Sequence, residues 1–466
     1  MNEIGLIGLG VMGKSLVENM ANKGFKVSVY NKTKSKIRDF IDKKNNNQKI
    51  YGFYDLEGFV QSLERPRKII LMIKAGEPVD IMIEHLKPLL ESGDLLIDGG
   101  NTNYNDTNRR IDGLRESSLL YLGMGISGGE EGALKGPSLM PGGSREAYEL
   151  VEDILLKISA KTESGPCCSY IGEGSAGHFV KMVHNGIEYG MMEAIAEAYQ
   201  ILRKVLNLSS QEIGDIFKRW NKGVLNSYLM EISSKIMAYK DVDTGEILVE
   251  NILDKAGQKG TGKWTTEAAL NLGIPGPSLS SSLEARVLSF FKDKRIKLSK
   301  LYKKETPSLT IDKEKLIGDL EKTLIFSYFI LFSQGLWLID EASREYNYEI
   351  ELSEVLRVWK GGCIIRAKML DLFRKILIED RENTNLLDSQ VARDFLWSKI
   401  NSIKSITNLA KEYHIACPAF NSGLDYFFSM IEEKLPANLI QGQRDFFGAH
   451  GYERIDREGL FHSQWQ

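Results

Sequence analysis

The sequence predicts an α/β domain built on a parallel sheet, followed by a large all-α domain and an extended C-terminal tail. Early in the chain, short apolar runs alternate with amphipathic helical segments, which is typical of a parallel sheet covered on both faces. After Gly177 helical periodicity dominates, and from Leu435 onward the periodicity is lost. We therefore expect a sheet domain over residues 1–176, a helical domain over 177–434 and a tail over 435–466.

The elements follow from the same patterns. Five short apolar runs are predicted strands: residues 4–7, 26–30, 68–73, 94–97 and 119–122. Seven periodic runs are predicted helices of the second domain: residues 178–206, 210–238, 265–269, 282–292, 313–347, 353–378 and 389–412. Residues 43–49, rich in Asn and Lys, should form a loop. The apolar stretch 324–339 is shorter than the ~18–20 residues of a membrane span and predicts a buried core helix.

Composition narrows the class of protein. The 466 residues are 42 % hydrophobic and 26 % charged, as in ordinary globular proteins, and the formal net charge is −3. This charge gives no reason to expect nucleic acid or an acidic membrane as a partner, and the basic run 292–304 is interpreted as a solvated surface. Four cysteines without zinc-ligand spacing, and a start that lacks a signal-peptide pattern, predict a cytoplasmic protein without a metal site. Adjacent Cys167 and Cys168 are interpreted as packed residues, with redox sensitivity as the alternative.

A glycine motif directly follows the first predicted strand and opens a helix. Glycines there permit a tight turn, a close approach to a pyrophosphate and close helix–strand packing, and the helix N-terminus offers free N–H groups. The motif in this context predicts a Rossmann-like, dinucleotide-binding domain. The residues expected to contact the cofactor are Gly8, Gly10, Val11, Met12 and Gly13.

The end of the second strand indicates which dinucleotide binds. An NAD site usually presents a carboxylate there, whereas this chain has Asn31, Lys32 and Thr33, which would attract a 2′-phosphate. NADP is therefore favoured, with a merely solvated turn as the alternative. Lys74 and Asn101 follow the next two strands and could face the nicotinamide, because ligands bind outside the carboxyl ends of such strands.

A polar helical face predicts the catalytic groups. Lys181, Asn185 and Glu188 lie at i, i+4 and i+7, and His184 joins the same face. An amine, an imidazole, an amide and a carboxylate together suit a polar substrate and a proton relay. The alternative is an exposed polar face with an ordinary Lys–Glu pair.

Several segments could bind anions. The string 254–264 combines three glycines with Lys259 and Thr261 and lacks the spacing of a nucleoside triphosphate loop. Together with the residues that follow, it suits a substrate that carries a phosphate and a carboxylate. These further candidates are Ser127, Gly128, Gly129, Arg286, Arg444 and His450.

These motifs, taken together, resemble the decarboxylating 6-phosphogluconate dehydrogenases of the pentose phosphate pathway. The resemblance covers the whole chain, from the N-terminal glycine motif through the string 254–264 to the tail segment 444–450. It implies oxidation and decarboxylation of 6-phosphogluconate with NADP. The related short β-hydroxyacid dehydrogenases share the fold and the catalytic lysine but lack so large a helical domain.

The resemblance also implies roles for single residues. Lys181 would be the general base and Glu188 the general acid. The tail would enter the partner subunit of a homodimer. The family often has Arg where this chain has Lys32, which implies a weaker 2′-phosphate contact rather than a switch to NAD. The substrate's carboxylate and hydroxyls would contact Ser127, Gly128, Gly129, His184 and Asn185, and Asn101 would also bind the substrate. Its phosphate would contact Tyr189, Lys259, Thr261, Arg286 and Arg444, and His450 would reach the sugar end from the tail.

Two other readings compete with this one. A β-hydroxyacid dehydrogenase that releases no CO2 would share the fold and the lysine. A non-catalytic NADP-binding scaffold would tolerate loss of Lys181 or Glu188, although both are present with their neighbours.

Overall fold

The computed structural model describes residues 1–42, 49–302, 307, 309–379 and 385–465. Within these ranges the main sheet consists of β1 (Ile4–Ile7), β2 (Val27–Tyr30), β3 (Ile50–Phe53), β4 (Lys68–Leu71), β5 (Leu95–Asp98), β6 (Leu120–Ser127) and β7 (Ser138–Gly143). Two small two-stranded sheets consist of β8 (Lys161–Thr162) with β9 (Gly165–Pro166), and β10 (Tyr452–Glu453) with β11 (Leu460–Phe461).

Helices surround the sheet and make up most of the remaining chain. Those of the sheet domain are α1 (Val11–Asn22), α2 (Lys34–Asp42), α3 (Leu56–Gln61), α4 (Glu77–Leu86), α5 (Tyr104–Arg115), α6 (Gly129–Lys135), α7 (Arg145–Glu149) and α8 (Glu152–Ile158). The first helices after them are α9 (Ala176–Val205), α10 (Ser210–Trp220), α11 (Tyr228–Ala238), α12 (Leu248–Asn251), α13 (Thr261–Asn271), α14 (Pro277–Ser289) and α15 (Lys292–Leu301). The others are α16 (Lys313–Glu345), α17 (Leu352–Val358), α18 (Met369–Glu379), α19 (Gln390–Trp397), α20 (Ile400–Glu412), α21 (Pro418–Met430) and α22 (Ala437–Gly448). Two 3-10 turns span Lys87–Leu89 and Leu386–Asp388.

The sheet topology gathers three strand ends at one edge. The strand order is β3-β2-β1-β4-β5-β6-β7, and every neighbouring pair is parallel except β6 and β7. The register pairs Ile7 with Leu71 and Leu71 with Asp98. The chain segments that follow β1, β4 and β5 therefore leave the sheet side by side, where parallel α/β sheets bind their ligands.

The predicted α/β class is confirmed, and the five predicted strands are present, the first with its predicted bounds and the other four with shifted ends. Strands β3 and β7 were not predicted from the sequence. The four residues of β3 include Gly52, and β7 contains Pro141 and two glycines, which are patterns of turns. Proline is tolerated in β7 because that strand lies last in the sheet order.

The predicted all-α region is also confirmed, but three of the periodic runs are each divided into two helices. The predicted helix 210–238 is divided into α10 and α11 because Asn221 ends the first and the Ser227 side chain caps the second. The predicted runs 353–378 and 389–412 are divided in the same way, and α21 was not predicted. The basic run forms α15 as far as Leu301, and residues 43–48 of the predicted loop lie outside the described residues.

Helix α16 is the apolar centre of the helical domain. By length and composition it could cross a membrane, but 89 % of its most apolar window is buried inside the structure. It packs closely on α9: a methyl group at Gly335 would lie 2.5 Å from Ile187 Cδ1. The prediction of a buried core helix is therefore confirmed.

Cys167 and Cys168 are placed as packed residues. Cys167 and Cys168 are buried, and burial raises the pKa of both thiols, that of Cys168 to about 12. Within the described ranges, no group of three or more His, Cys, Asp or Glu side chains is placed to hold a metal ion.

The tail differs from the prediction, because it is folded rather than extended. It forms α22 and the hairpin of β10 and β11. The buried Asp445 carboxylate accepts hydrogen bonds from His462 Nδ1 at 2.8 Å, Trp465 Nε1 at 2.8 Å and the backbone N–H groups of Gly451 and Ser463. The sequence pattern missed this because the ordering comes from one carboxylate rather than from an apolar stripe.

Glycines bring α9 into direct contact with the sheet. A methyl group at Gly177 would lie 2.2 Å from the Gly123 carbonyl oxygen and 2.3 Å from that of Met140. A methyl group at Gly142 would lie 2.2 Å from the Gly177 nitrogen. The start of α9 therefore rests on β6 and β7 with no side chain between the backbones.

We expect Gly177→Ala to lower the free energy of unfolding by about 1–3 kcal/mol, because the added methyl group overlaps fixed backbone atoms. The matched control is Gly113→Ala in α5, where no atom lies within 4 Å of the new Cβ, so the gain in helix propensity should stabilise slightly. Urea denaturation followed by circular dichroism measures both. A Gly177→Ala midpoint equal to that of the unsubstituted protein would contradict the close packing.

Candidate active site

The glycine loop after β1 has the shape that a dinucleotide requires. Gly8 has φ of +111°, and a methyl group there would lie 2.3 Å from the Met72 carbonyl oxygen. Gly10 faces open space and precedes α1 without any side-chain cap, so the first N–H groups of the helix are available to an anion. Gly13 approaches the Gly8 carbonyl oxygen, and any methyl group there would clash. The residues present therefore fit a pyrophosphate.

The neutral and cationic residues after β2 lie beside this loop. Asn31 Oδ1 accepts a hydrogen bond from Leu9 N at 2.9 Å. Asn31, the first residue after β2, therefore also holds the glycine loop in place. Lys32 and Thr33 are exposed. Lys74 and Asn101, which follow β4 and β5, are also exposed and lie at the same edge of the sheet.

The polar face of α9 forms as predicted, and it is buried. Lys181 is 6 % exposed, His184 is fully buried, and the Glu188 side chain is 21 % exposed. Lys181 Nζ lies 3.4 Å from His184 Nδ1, and Glu188 Oε2 lies 3.9 Å from the same nitrogen. The alternative of an exposed face with an ordinary Lys–Glu pair does not agree with this burial.

Close packing fixes where the Lys181 side chain starts. A methyl group at Gly125 in β6 would lie 2.4 Å from Lys181 Cβ. The glycine therefore lets the base of the lysine side chain rest directly on the strand. The other face of α9 carries buried apolar residues such as Val180 and Val183.

His184 links α9 to the end of β6. Its Nδ1 lies 3.0 Å from Asn185 Oδ1, and its Nε2 lies 3.1 Å from Ser127 Oγ. Because an amide oxygen only accepts, Nδ1 carries the hydrogen, and Nε2 accepts from the Ser127 hydroxyl. Gly128 and Gly129 follow with φ of +127° and +63°, so their backbone turns sharply beside this hydrogen bond.

A second group of candidates lies further along α9. The Arg286 guanidinium stacks 3.6 Å from the centre of the Tyr189 ring. A methyl group at Gly262 would lie 2.6 Å from that ring, so the start of α13 also touches this tyrosine. Thr261 opens α13 and is buried, whereas Lys259 in the preceding loop is exposed. Tyr189 thus joins Arg286 to the predicted anion loop.

The structure does not bring the two tail candidates to this site. Arg444 Nη1 donates to Gln441 Oε1 at 3.1 Å, and the His450 ring lies 5.9 Å from the ring of Phe447. Over residues 437–465, the hydrogen bonds that the structure gives the tail side chains stay within the tail.

Sequence reasoning missed the loop that covers Ser127. Ile364 N donates to Ser127 Oγ at 3.3 Å, and the Trp359 ring lies 5.7 Å from the His184 ring in an edge arrangement. Cys363 in the same loop is buried and donates to the Trp359 carbonyl. The only sequence feature that could have drawn attention to this loop is its glycine pair, Gly361 and Gly362.

Burial shifts the proton affinities of the central groups. Desolvation lowers the pKa of the Lys181 ammonium, and the Glu188 carboxylate opposes this only in part. Desolvation raises the pKa of Glu188, opposed by Lys181 and Arg286. Burial, with Lys181 nearby, holds the pKa of His184 well below its ordinary value. Burial thus shifts each of the three pKa values towards the uncharged form of its group.

Fold and site together define a dinucleotide-dependent dehydrogenase with a large helical domain. Residues 3–172 match the family model described as the NAD binding domain of 6-phosphogluconate dehydrogenase, and residues 177–465 match that of the 6-phosphogluconate dehydrogenase C-terminal domain.

Individual relatives agree with the family models. The chain is 49 % identical over 464 residues to the NADP(+)-dependent, decarboxylating 6-phosphogluconate dehydrogenase of Bacillus subtilis, with 99 % of each chain covered. It is 48 % identical to decarboxylating 6-phosphogluconate dehydrogenase 1 of Spinacia oleracea, covering 99 % of this chain and 97 % of the relative. The solved Plasmodium falciparum 6-phosphogluconate dehydrogenase, described in apo form and in complex with NADP+ and with 6-phosphogluconate, superposes with a TM-score of 0.96 at 43 % identity, covering 99 % of this chain and 100 % of that one. This chain therefore belongs to the 6-phosphogluconate dehydrogenase family and is an oxidoreductase, as the sequence motifs implied.

We expect Lys181 to lose its proton at a lower pH than an exposed lysine, because burial disfavours the ammonium form. The matched control is Lys235, an exposed residue whose pKa is raised by its partner Glu231. Reductive methylation with formaldehyde over a pH series, read by mass spectrometry, gives the pH of half-maximal labelling for each. A midpoint for Lys181 at or above that of Lys235 would contradict the proposed desolvation.

Proposed function

We propose that this chain catalyses the oxidative decarboxylation of 6-phospho-D-gluconate to D-ribulose 5-phosphate and CO2, with reduction of NADP to NADPH. The observation that carries the proposal is the buried Lys181 amine, which shares one helical face with His184, Asn185 and Glu188 at the ligand-binding edge of the sheet. The family of the chain and the names of its relatives support the same reaction.

NADP would be held along the sheet edge. Its pyrophosphate would take N–H groups at the start of α1, around Gly10, Val11 and Met12, with Gly8 and Gly13 shaping the loop. Asn31, Lys32 and Thr33 would hold the 2′-phosphate, because no carboxylate stands at that corner. Lys74 and Asn101 would border the nicotinamide.

The substrate would lie between the sheet edge and α9. Its carboxylate and hydroxyls would be held by Asn101, Ser127, Gly128, Gly129, His184 and Asn185. Its phosphate would be held by Tyr189, Lys259, Thr261, Arg286 and Arg444, and His450 would contact the sugar from the tail. The stacking of Arg286 on Tyr189 supports this, because it orients a planar guanidinium that can bind phosphate through two N–H groups.

Lys181 would act first, as a base. NADP, when bound, supplies the acceptor for the hydride that leaves C3 of the substrate. The neutral amine accepts the proton of the C3 hydroxyl, which its lowered pKa favours. The product is a 3-keto acid whose carboxylate is β to the ketone.

The same lysine then acts as an acid, and Glu188 completes the reaction. The Lys181 ammonium donates a hydrogen bond to the ketone oxygen and stabilises the enolate that forms as CO2 departs. Glu188, whose raised pKa favours the protonated form, gives its proton to the carbon that becomes C1 of ribulose 5-phosphate.

An absorbance assay of NADPH formation, with the released CO2 measured alongside, tests the reaction directly. We expect 6-phosphogluconate to drive NADP reduction with one CO2 released for each NADPH formed. Lys181→Met should lower turnover by about 100- to 10,000-fold, the usual contribution of a general base, while NADP still binds. NAD should give a lower kcat/KM, because it lacks the 2′-phosphate that Lys32 would contact.

Three outcomes would refute parts of this proposal. NADPH without CO2 would favour the β-hydroxyacid dehydrogenase alternative. Retained turnover in Lys181→Met would refute the role of the lysine, and equal kcat/KM values with NAD and NADP would refute the role assigned to the corner after β2.

The proposal extends to the assembly. The division into a nucleotide domain (1–176), a helical substrate and dimerisation domain (177–434) and a tail (435–466) suits a cytoplasmic homodimer in which each tail enters the partner's site. The tail bonds that stay within residues 437–465 support this, since they leave Arg444 and His450 exposed and free to reach another chain.

Mixing two inactive variants tests the exchange of tails. Lys181→Met and Arg444→Ala subunits, unfolded and refolded together, should recover about one quarter of the wild-type activity, because half the dimers would be mixed and hold one intact site each. Each variant refolded alone is the control. No recovery in mixed dimers, identified by a mass tag on one subunit, would show that the tail serves its own chain.

A further inference from the structure

A single guanidinium, that of Arg110 on α5, joins two segments of the sheet edge. The Arg110 side chain is 2 % exposed. Its Nη2 donates to the Gly76 carbonyl oxygen at 3.0 Å, and its Nη1 donates to Asp98 Oδ2 at 3.2 Å. Its Nε donates to Asp80 Oδ1 at 2.7 Å, which fixes the plane of the fork.

These two acceptors belong to the loops after β4 and β5. Gly76 closes the loop that carries Lys74, and Asp98 opens the loop that carries Asn101. Asp98 is fully buried and also accepts hydrogen bonds from Gly100 N at 3.0 Å and from the Thr102 hydroxyl at 2.7 Å. Arg110 therefore holds one loop through its backbone and the other through the carboxylate that shapes it.

His178 connects the same loop to α9. Its Nε2 lies 3.0 Å from the Asp98 carbonyl oxygen, and its Nδ1 lies 2.7 Å from the Thr107 hydroxyl. Because a carbonyl oxygen only accepts, Nε2 carries the hydrogen and Nδ1 accepts from Thr107. His178 is buried one helical turn before Lys181, so the loop after β5 is tied to the helix that carries the amine.

We propose that Arg110 and His178 are positioning residues, which set the loops of Lys74 and Asn101 at a fixed distance from the Lys181 amine. The proposal rests on the function proposed above, in which these loops border the nicotinamide and Lys181 takes the hydroxyl proton. The hydride leaves C3 of the substrate and the proton leaves the hydroxyl oxygen on C3, so both acceptors must be aligned on that one group. Neither Arg110 nor His178 touches the reacting atoms in this arrangement.

The buried hydrogen bonds of Arg110 are better suited to aligning the two loops than to stabilising the fold alone. A buried ion pair costs desolvation that well-packed apolar residues would avoid. A forked donor instead fixes the relative place of two segments, since it bonds to Gly76 and Asp80 at the start of α4 and to Asp98 at the end of β5.

The first test is Arg110→Lys, with Arg109→Lys as the matched control. Lysine keeps the charge of Arg110 but cannot donate hydrogen bonds in three fixed directions. Arg109 is a suitable control because its side chain is 57 % exposed and donates to Asp80 and Asp106. Hydrogen–deuterium exchange should become faster in the peptides that cover residues 74–76 and 99–103 of Arg110→Lys, without any ligand. The single-turnover rate of NADPH formation should fall about 10- to 100-fold. Both readouts should stay unchanged in Arg109→Lys.

The second test is a pair of variants at His178. His178→Gln keeps an amide N–H that can reach the Asp98 carbonyl, and His178→Leu does not. We expect exchange over 99–103 and single-turnover rate to stay near wild type in the first and to change in the second as in Arg110→Lys. This pair decides the matter if Arg110→Lys fails to fold, as judged by its melting temperature.

Unchanged exchange in both loops of a folded Arg110→Lys and His178→Leu would overturn the proposal. Faster exchange with an unchanged single-turnover rate would overturn it too, because the loops would then not align the reaction. If the wild type did not oxidise 6-phosphogluconate, the proposed function would be refuted instead. The exchange measurements need no substrate, so they would still test whether Arg110 and His178 hold the two loops.

Discussion

The burial of one primary amine against the sheet is the constraint on which the site depends. Glycines at positions 125 and 177 remove the side chains that would separate α9 from β6 and β7. Helix α9 therefore packs on β6 and β7 in one close arrangement, and this arrangement fixes the position of the Lys181 side chain relative to the sheet. Water is excluded by the same contacts, and this exclusion lowers the pKa of the amine. Backbone packing and proton affinity thus have a common cause.

Helix α9 carries three separate attachments along its length. His178 bonds to the end of β5, the group from Lys181 to Glu188 lines the site, and Glu197 accepts from the first amides of α21, Ala419 N at 2.6 Å and Phe420 N at 3.0 Å. The last contact places the Glu197 side chain at a helix N-terminus; burial raises the pKa of its carboxyl, and the two backbone N–H groups oppose that rise. A shift of α9 along its axis would break all three, which explains how one helix can align both domains.

The features that depend on residues close together in the sequence could be predicted from local patterns. The glycine loop, the α9 face and the order of sheet and helices follow from spacings of a few residues. Long-range contacts could not be predicted: Ile364 N on Ser127, Arg110 on Gly76 and the four donors around Asp445 join residues that share no pattern. The folded tail and strand β7 were missed for this reason, since glycine and proline there read as turns while hydrogen bonds hold them in place.

The order of the tail has a physical consequence for its surface. Its hydrogen bonds close on Asp445, so its apolar side chains turn outward: Leu439 is 66 % exposed, Phe447 73 % and Ile455 fully exposed. Helix α14 and the turn after it also expose Leu288 and Phe291. Large apolar patches on a protein surface often mark an interface with another molecule. A tail that is internally ordered and externally apolar is suited to bind as a preformed unit, which costs less entropy than ordering a flexible segment on contact.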